Sequence, residues 1–313
     1  MGNLLSAAAQ SFPPKPKWGV DDIPDLTGKV TIVTGGNVGI GKETVKALLA
    51  HNAKVYMASR SEDKAKAAIE ELKAATGKEA IFLKLDLADL PSVKRSAEEF
   101  LSKEKELHIL FLNAGVMACP VDWTTEQKFD MQFGTNVIGH FLFTQLLLPA
   151  VFAATESSPT HEKARIVTTS SSAIYFTNKI NFNAITDTPA RRKMSPWDLY
   201  HPSKFGNVVV ARELARRYGD KIVSTSLNPG NLKSNLQQHL PWLQFKITQW
   251  ISYDVPLGAL TQLWAGTSPE GADFNGKFLI PWARIGEPNP ATKDPKLAEK
   301  LWAYLEDAVK DYL

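Results

Sequence analysis

The stretch Lys29-Val30-Thr31-Ile32-Val33-Thr34-Gly35-Gly36-Asn37-Val38-Gly39-Ile40-Gly41, running on into Lys42-Glu43-Thr44-Val45-Lys46-Ala47-Leu48-Leu49, decides the fold. A β-branched run reads as a buried strand, and the segment after it carries apolar residues at helical spacing. Between them, Gly35, Gly39 and Gly41 allow a tight turn, close approach of the backbone to a pyrophosphate and close helix–strand packing. The helix that follows would turn its free N–H groups and positive dipole end toward the phosphates. The spacing is G-x-x-x-G-x-G, not the G-x-G-x-x-G of the standard dinucleotide fingerprint.

Outward from this turn, short apolar runs alternate with helix-length segments. The runs are Lys54–Ala58, Ala80–Lys84, His108–Leu112, Arg165–Thr169, Lys221–Leu227 and Gly276–Ile280. Strands separated by helices imply a parallel sheet covered on both faces. The expectation is an α/β chain: a single Rossmann-type, doubly wound sheet of about seven strands filling residues 28–313. Residues 1–27, with Phe12-Pro13-Pro14-Lys15-Pro16-Lys17, read as an extended N-terminal lead-in.

The composition agrees with a globular domain. Lys+Arg number 36 against 33 Asp+Glu, a net +3, with 22% charged and 44% hydrophobic residues. That excludes disorder and gives no basic face for a nucleic-acid partner. The single cysteine, Cys119, excludes an internal disulfide and a paired-cysteine metal site, so no metal is expected. Met131 to Thr155 contains no Asp, Glu, Lys or Arg, yet Gln132, Asn136, His140, Gln145 and Pro149 make it a buried helix or a subunit-interface helix rather than a membrane span. Met1-Gly2-Asn3-Leu4-Leu5-Ser6 fits the myristoylation pattern, with a flexible tail as the plain reading. A single acyl chain would give a cytoplasmic protein only weak membrane association.

Two further features carry chemistry. Ser59 and Arg60 stand at the end of the second strand, where an NAD site usually has Asp or Glu; an arginine there pairs with the 2′-phosphate of NADP(H), which is therefore favoured over NAD(H). Tyr200-His201-Pro202-Ser203-Lys204 opens a helix on which Tyr200 and Lys204 share a face. A nearby ammonium should lower the tyrosine pKa so that the phenol exchanges a proton with a carbonyl or alcohol oxygen.

With the glycine turn, this pair makes the chain resemble the short-chain dehydrogenase/reductases of the classical type, in the retinol-dehydrogenase-like branch. The motifs run in order from Gly28 to about Pro281: the Thr34–Gly41 turn, Asp86-Leu87, Asn113-Ala114-Gly115, Asn136, Ser170-Ser171, Tyr200 with Lys204, and Asn228-Pro229-Gly230. The resemblance implies a tetrad of Asn136, Ser171, Tyr200 and Lys204. Tyr200 would be the acid/base and Ser171 would hydrogen-bond the substrate oxygen. Lys204 would hold the nicotinamide ribose, and Asn136 would position a water that relays protons to Lys204. The resemblance also implies cofactor contacts from Gly35, Asn37, Val38, Gly39, Ile40 and Gly41 at the turn and from Ser59 and Arg60 beyond it. Asp86 and Leu87 would flank the adenine, with Asn113, Ala114 and Gly115 at the adenosine ribose. Pro229, Gly230, Leu232 and Ser234 would lie by the nicotinamide.

The chain departs from that pattern mainly in length. Ser171 and Tyr200 lie farther apart than in a compact member, through an insertion within 174–199 that would fold over the substrate mouth, with a solvated loop as the simpler reading of its Arg191-Arg192-Lys193. The loop at about 231–254, with Trp242, Phe245, Trp250 and Tyr253, reads as an apolar lid on an apolar substrate, Trp242 touching it, with core packing or a membrane-facing patch as the alternatives. His201 and His239 read as surface or helix-end residues. The expected partner is a small alcohol, ketone or aldehyde, and the charge-free 131–155 helix resembles the family's dimer-forming helix. Two other readings stand beside this one: an epimerase or dehydratase, whose T-G-x-x-G-x-x-G turn is missing, and a non-catalytic cofactor-binding sensor or scaffold.

Overall fold

The computed structural model describes residues 2–233 and 252–313. Among the described residues, eight strands form one sheet in the order β3-β2-β1-β4-β5-β6-β7-β8. They are β1 (Val30–Thr34), β2 (Lys54–Ser59), β3 (Ile81–Lys84), β4 (Ile109–Leu112), β5 (Ala164–Thr169), β6 (Ile222–Leu227), β7 (Phe278–Ile280) and β8 (Arg284–Gly286). The first seven are parallel and match the seven runs read in the sequence; β8 returns antiparallel on β7. The sequence reading missed β8 because three residues, Arg-Ile-Gly, carry no periodicity.

The reversal of order between β1 and β4 opens a crevice at the carboxyl ends of the strands, where doubly wound sheets bind ligands. Helices α2 (Gly39–Ala50) and α3 (Glu62–Thr76) supply the apolar stripes of one face, joined by Ala259 and Leu263 of a later helix. Against the other face lie α4 (Leu90–Lys103), the three-residue helix α5 (Met131–Phe133), a π-helical turn (Gly134–Gly139), α6 (His140–Glu156) and α7 (Pro196–Tyr218). The later helix is α8 (Val255–Thr267), and the chain closes with α9 (Pro295–Val309). The helical stretch from Met131 to Glu156, uncharged up to Thr155, is mostly buried in this core. Trp302 of α9 meets Phe141 edge to face at 5.0 Å, so the chain's own last helix covers part of that stretch.

The N-terminal segment differs from the extended lead-in expected of it. Residues Gly2–Ser11 form helix α1, whose Ala7 is buried among Ile174, Tyr175, Val208 and Phe278. Ile23 and Leu26 enter the core beside α2. The prolines from Pro13 to Pro16 start just beyond Ser11, where the helix ends.

Candidate active site

The cofactor side is built from backbone. Thr34, the last residue of β1, accepts the backbone N–H groups of Asn113 and Ala114 on its Oγ1, each at 2.9 Å, while Asn113 Nδ2 donates to the Thr34 carbonyl at 2.9 Å. One hydroxyl thereby ties the Asn113–Gly115 loop to the glycine turn. Gly41 has to be glycine, because a Cβ there would stand 2.2 Å from the Gly35 carbonyl oxygen. Helix α2 begins at Gly39 behind Val38, with no side chain capping it and no acidic residue in its first turn. Asn37 precedes Val38 in the turn. The first-turn N–H groups are thus left for an anion, as a pyrophosphate requires.

Along the rim, Ser59 is buried and Arg60 exposed, and Lys84 Nζ donates to the Arg60 carbonyl at 2.7 Å, setting a second cation at the end of the neighbouring strand. Among the described residues Arg60 makes no ion pair. Asp86 Oδ1 accepts the Ala88 N–H at 3.0 Å and Leu87 is buried. These groups, the glycine turn and the uncapped helix fit a nicotinamide dinucleotide.

The other half of the site comes from three elements that converge on Gly115. The Asp130 carboxylate caps α5 by accepting the N–H groups of Gln132 and Phe133, and the chain then widens into the π-turn that carries Asn136. Asn136 Oδ1 accepts the Val116 N–H at 2.8 Å, and its Nδ2 donates to the Val116 carbonyl and to Ser203 Oγ, both at 3.0 Å. Ser203 Oγ in turn donates to the Tyr200 carbonyl at 2.7 Å. Lys204 Nζ donates to the Thr169 carbonyl at 3.2 Å. A Cβ on Gly115 would lie 3.1 Å from both Asn136 Oδ1 and Lys204 Nζ, which shows how tightly these groups meet.

Ser170 Oγ donates to the Lys204 carbonyl at 2.7 Å, while the Ser171 hydroxyl is the side chain that pulls the Tyr200 pKa down. Ser171 also accepts the Ala173 N–H, starting the 3-10 turn Ser172–Phe176. The expected lowering of the tyrosine pKa is not what the structure has. Burial pushes the Tyr200 phenol up to about 12, with Ser171 pulling it back only in part, and the same burial draws the Lys204 ammonium down to about 8. Desolvation in the shared pocket penalises both charged forms and outweighs their attraction.

Several residues of the site carried no signal in the sequence. His140, wholly buried, joins the two halves: its Nδ1 lies 3.1 Å from the Asn136 carbonyl and its Nε2 3.0 Å from Thr34 Oγ1. A carbonyl accepts only, so Nδ1 carries the proton and Nε2 accepts from the threonine. Burial pulls its pKa down to about 4, consistent with that neutral tautomer. Gly230 adopts φ +89° and a Cβ there would lie 2.7 Å from the Trp282 ring, so the Pro229–Gly230 turn is pressed onto Trp282. Leu232 and Ile40 pack in the same apolar cluster, with Trp18 from the N-terminal segment. Leu232 and Tyr253 bridge in parallel at the two ends of the 231–254 loop; Ser234 and Trp242 lie outside the described residues.

The reading of Arg191-Arg192-Lys193 as a solvated loop is corrected at its first residue. Arg191 is fully buried, pairing with Asp130 at 3.2 Å and Asp187 at 3.0 Å and donating to the Trp123 carbonyl at 2.6 Å. It ties the insertion to the residue that caps the helix leading to Asn136. His201 is likewise not a plain surface residue: it stacks on Trp197 at 5.7 Å and lies 5.4 Å from the Phe176 ring, while Trp197 meets Tyr200 edge-on at 5.8 Å.

Residues 29–183 match the family model described as short chain dehydrogenase. A short-chain dehydrogenase/reductase of Armillaria gallica is 63% identical over 313 residues, all of both chains. Retinol dehydrogenase 12 of Mus musculus is 36% identical over 281 residues, covering 88% of this chain and 85% of the relative. A crystal structure of a short chain dehydrogenase from Shigella flexneri 2a complexed with NADP superposes with a TM-score of 0.62 at 22% identity, covering 82% of this chain and 98% of the other. The chain belongs to the short-chain dehydrogenase/reductase family of oxidoreductases.

Proposed function

We propose that the protein is an NADP(H)-dependent oxidoreductase that interconverts an alcohol and a ketone or aldehyde on a lipophilic substrate. The observation that carries this reading is the convergence of Asn136, Ser171, Tyr200 and Lys204 at the end of the crevice, with the side chains of Asn136, Ser171 and Lys204 bonded to backbone groups and the Tyr200 carbonyl accepting from Ser203. The nicotinamide supplies the hydride when the dinucleotide is bound. Tyr200, neutral because of its burial, is in the form that can donate a proton to the oxygen of a carbonyl being reduced. Ser171, whose hydroxyl draws the phenol's pKa down, donates to the same oxygen as charge develops. Lys204, with its pKa drawn toward neutrality, can pass a proton on, and Asn136 fixes the backbone beside it.

Arg60 supports NADP(H) over NAD(H), because an exposed guanidinium with Lys84 alongside suits a 2′-phosphate and offers no acceptor for ribose hydroxyls. The solved neighbour bound to NADP is in keeping with that choice. Phe176, Trp197 and His201 support a lipophilic substrate, since they form a ring surface next to Tyr200, with Phe176 54% exposed.

The test is NADPH consumption, followed by absorbance, across a panel of aldehydes and ketones graded in hydrophobicity. Turnover should rise with apolar substituents, and Tyr200→Phe should lose about 100-fold or more in kcat. An enzyme that consumes NADPH with none of the panel, or a Tyr200→Phe variant with undiminished turnover, overturns the reading.

A further inference from the structure

We infer that helix α1 is a working part of the nicotinamide side of the cleft, and that Gln10 is the positioning residue that sets the Asn228–Gly230 turn. The inference rests on the cofactor reading above. Gln10 is 5% exposed, and both ends of its amide are engaged by side chains from distant parts of the chain. Its Nε2 donates to the Tyr175 hydroxyl at 2.9 Å, and its Oε1 accepts from Asn228 Nδ2 at 2.9 Å. Tyr175 stands on the 3-10 turn that Ser171 caps, and Asn228 begins the turn that resemblance places by the nicotinamide.

The donors and acceptors form one consistent chain. The Tyr175 hydroxyl gives its only proton to the Glu287 carbonyl at 2.5 Å, so toward Gln10 it can only accept. That forces the Gln10 NH2 toward Tyr175 and its oxygen toward Asn228. Asn228 must then present its NH2 to Gln10, which leaves its Oδ1 facing the Gly230 N–H, accepted at 3.1 Å. Without Gln10 the Asn228 amide can reverse, and two donors would face each other at Gly230. The turn held in this way is the one pressed against Trp282. Burial of Ala7 against Ile174, Tyr175 and Val208 seats the helix so that Gln10, one turn later, reaches both partners.

The test uses the full chain carrying Gln10→Leu, which keeps the bulk and removes both hydrogen bonds. In the protein alone, hydrogen exchange of the Gly230 amide should accelerate by roughly tenfold, the scale of one lost buried hydrogen bond, while amides of α3 exchange as in wild type. By calorimetry, NADPH affinity should fall by about tenfold, whereas affinity for 2′-phospho-ADP-ribose, which lacks the nicotinamide, stays within about twofold of wild type. Unchanged Gly230 exchange, or equal weakening of both ligands, overturns the inference, because Gln10 would then serve stability alone. Should Gln10→Leu not fold, Tyr175→Phe frees the Gln10 amide to turn and should move both readouts in the same direction by less; no movement in either overturns the inference as well. A wild-type protein that binds neither NADPH nor NADH overturns the cofactor reading and the nicotinamide half of this inference with it, while the Gly230 exchange still separates the two.

Discussion

At the residue scale, Arg60 and Tyr200 show opposite relations between sequence and environment. Arg60 acts through position alone: it ends β2, is exposed, and Lys84 is drawn up beside its carbonyl. A charge-assisted contact to a phosphate is worth about 1.5–3 kcal/mol, so Arg60→Asp should weaken NADPH binding by roughly 10- to 100-fold and leave NADH binding little changed or improved. Fluorescence titration of both dinucleotides checks this, and equal losses for the two would remove Arg60 from the specificity argument. The phenol of Tyr200 is governed instead by what surrounds it. Its spacing to Lys204 is legible as one helical face, yet spacing cannot tell whether attraction or desolvation sets the proton's affinity. Burial decides that in favour of the neutral acid, against the opposing pull of Ser171.

At the scale of elements, the insertion between β5 and α7 is an integrated segment because Arg191 finds Asp130, 61 positions earlier in the chain. Asp130 is itself raised in pKa by burial, opposed by the hydrogen bonds of Phe133 and Gln132 and by Arg191, so its charge depends on all of them. Breaking a buried pair on one side leaves an uncompensated charge and costs about 3–5 kcal/mol. Arg191→Met should therefore lower unfolding free energy in urea by that order, and Asp130→Asn added to it should restore part of the loss. No recovery in the double variant would mean that Arg191 acts through its packing and its bond to the Trp123 carbonyl. A run of three basic residues says nothing of this, since the local pattern of a solvated loop and of a buried anchor is the same. The glycine turn, by contrast, was legible because everything it does, from the tight turn to the uncapped helix start, happens within ten residues of chain.

At the scale of the whole molecule, buried neutral histidines couple stability to pH. The folded-state pKa of His140 is about 4, below its ordinary value of 6.5, so its contribution is fully present above 6.5 and is lost as pH falls toward 4. His108 adds to the same direction: burial lowers its pKa, and its Nδ1 must stay unprotonated to accept the Val30 N–H at 3.1 Å. The His140 share amounts to about 3 kcal/mol between pH 7 and pH 4, and denaturant titrations of wild type against His140→Gln should differ in pH slope by that order. Parallel slopes would show that His140 does not carry the acid sensitivity. The sequence by itself determined the sheet, its seven parallel strands, the glycine turn and the shared helical face of Tyr200 and Lys204, because each rests on hydrophobic period, glycine chemistry or one-turn helical spacing, whereas the tetrad as a set is implied by the family resemblance. Only the tertiary structure decided which arginine is buried, and that α1 reaches across through Gln10 to Asn228, 218 positions away. Such contacts are set by where the packed elements bring polar groups out of water and oblige them to find partners, and no local stretch of chain encodes that.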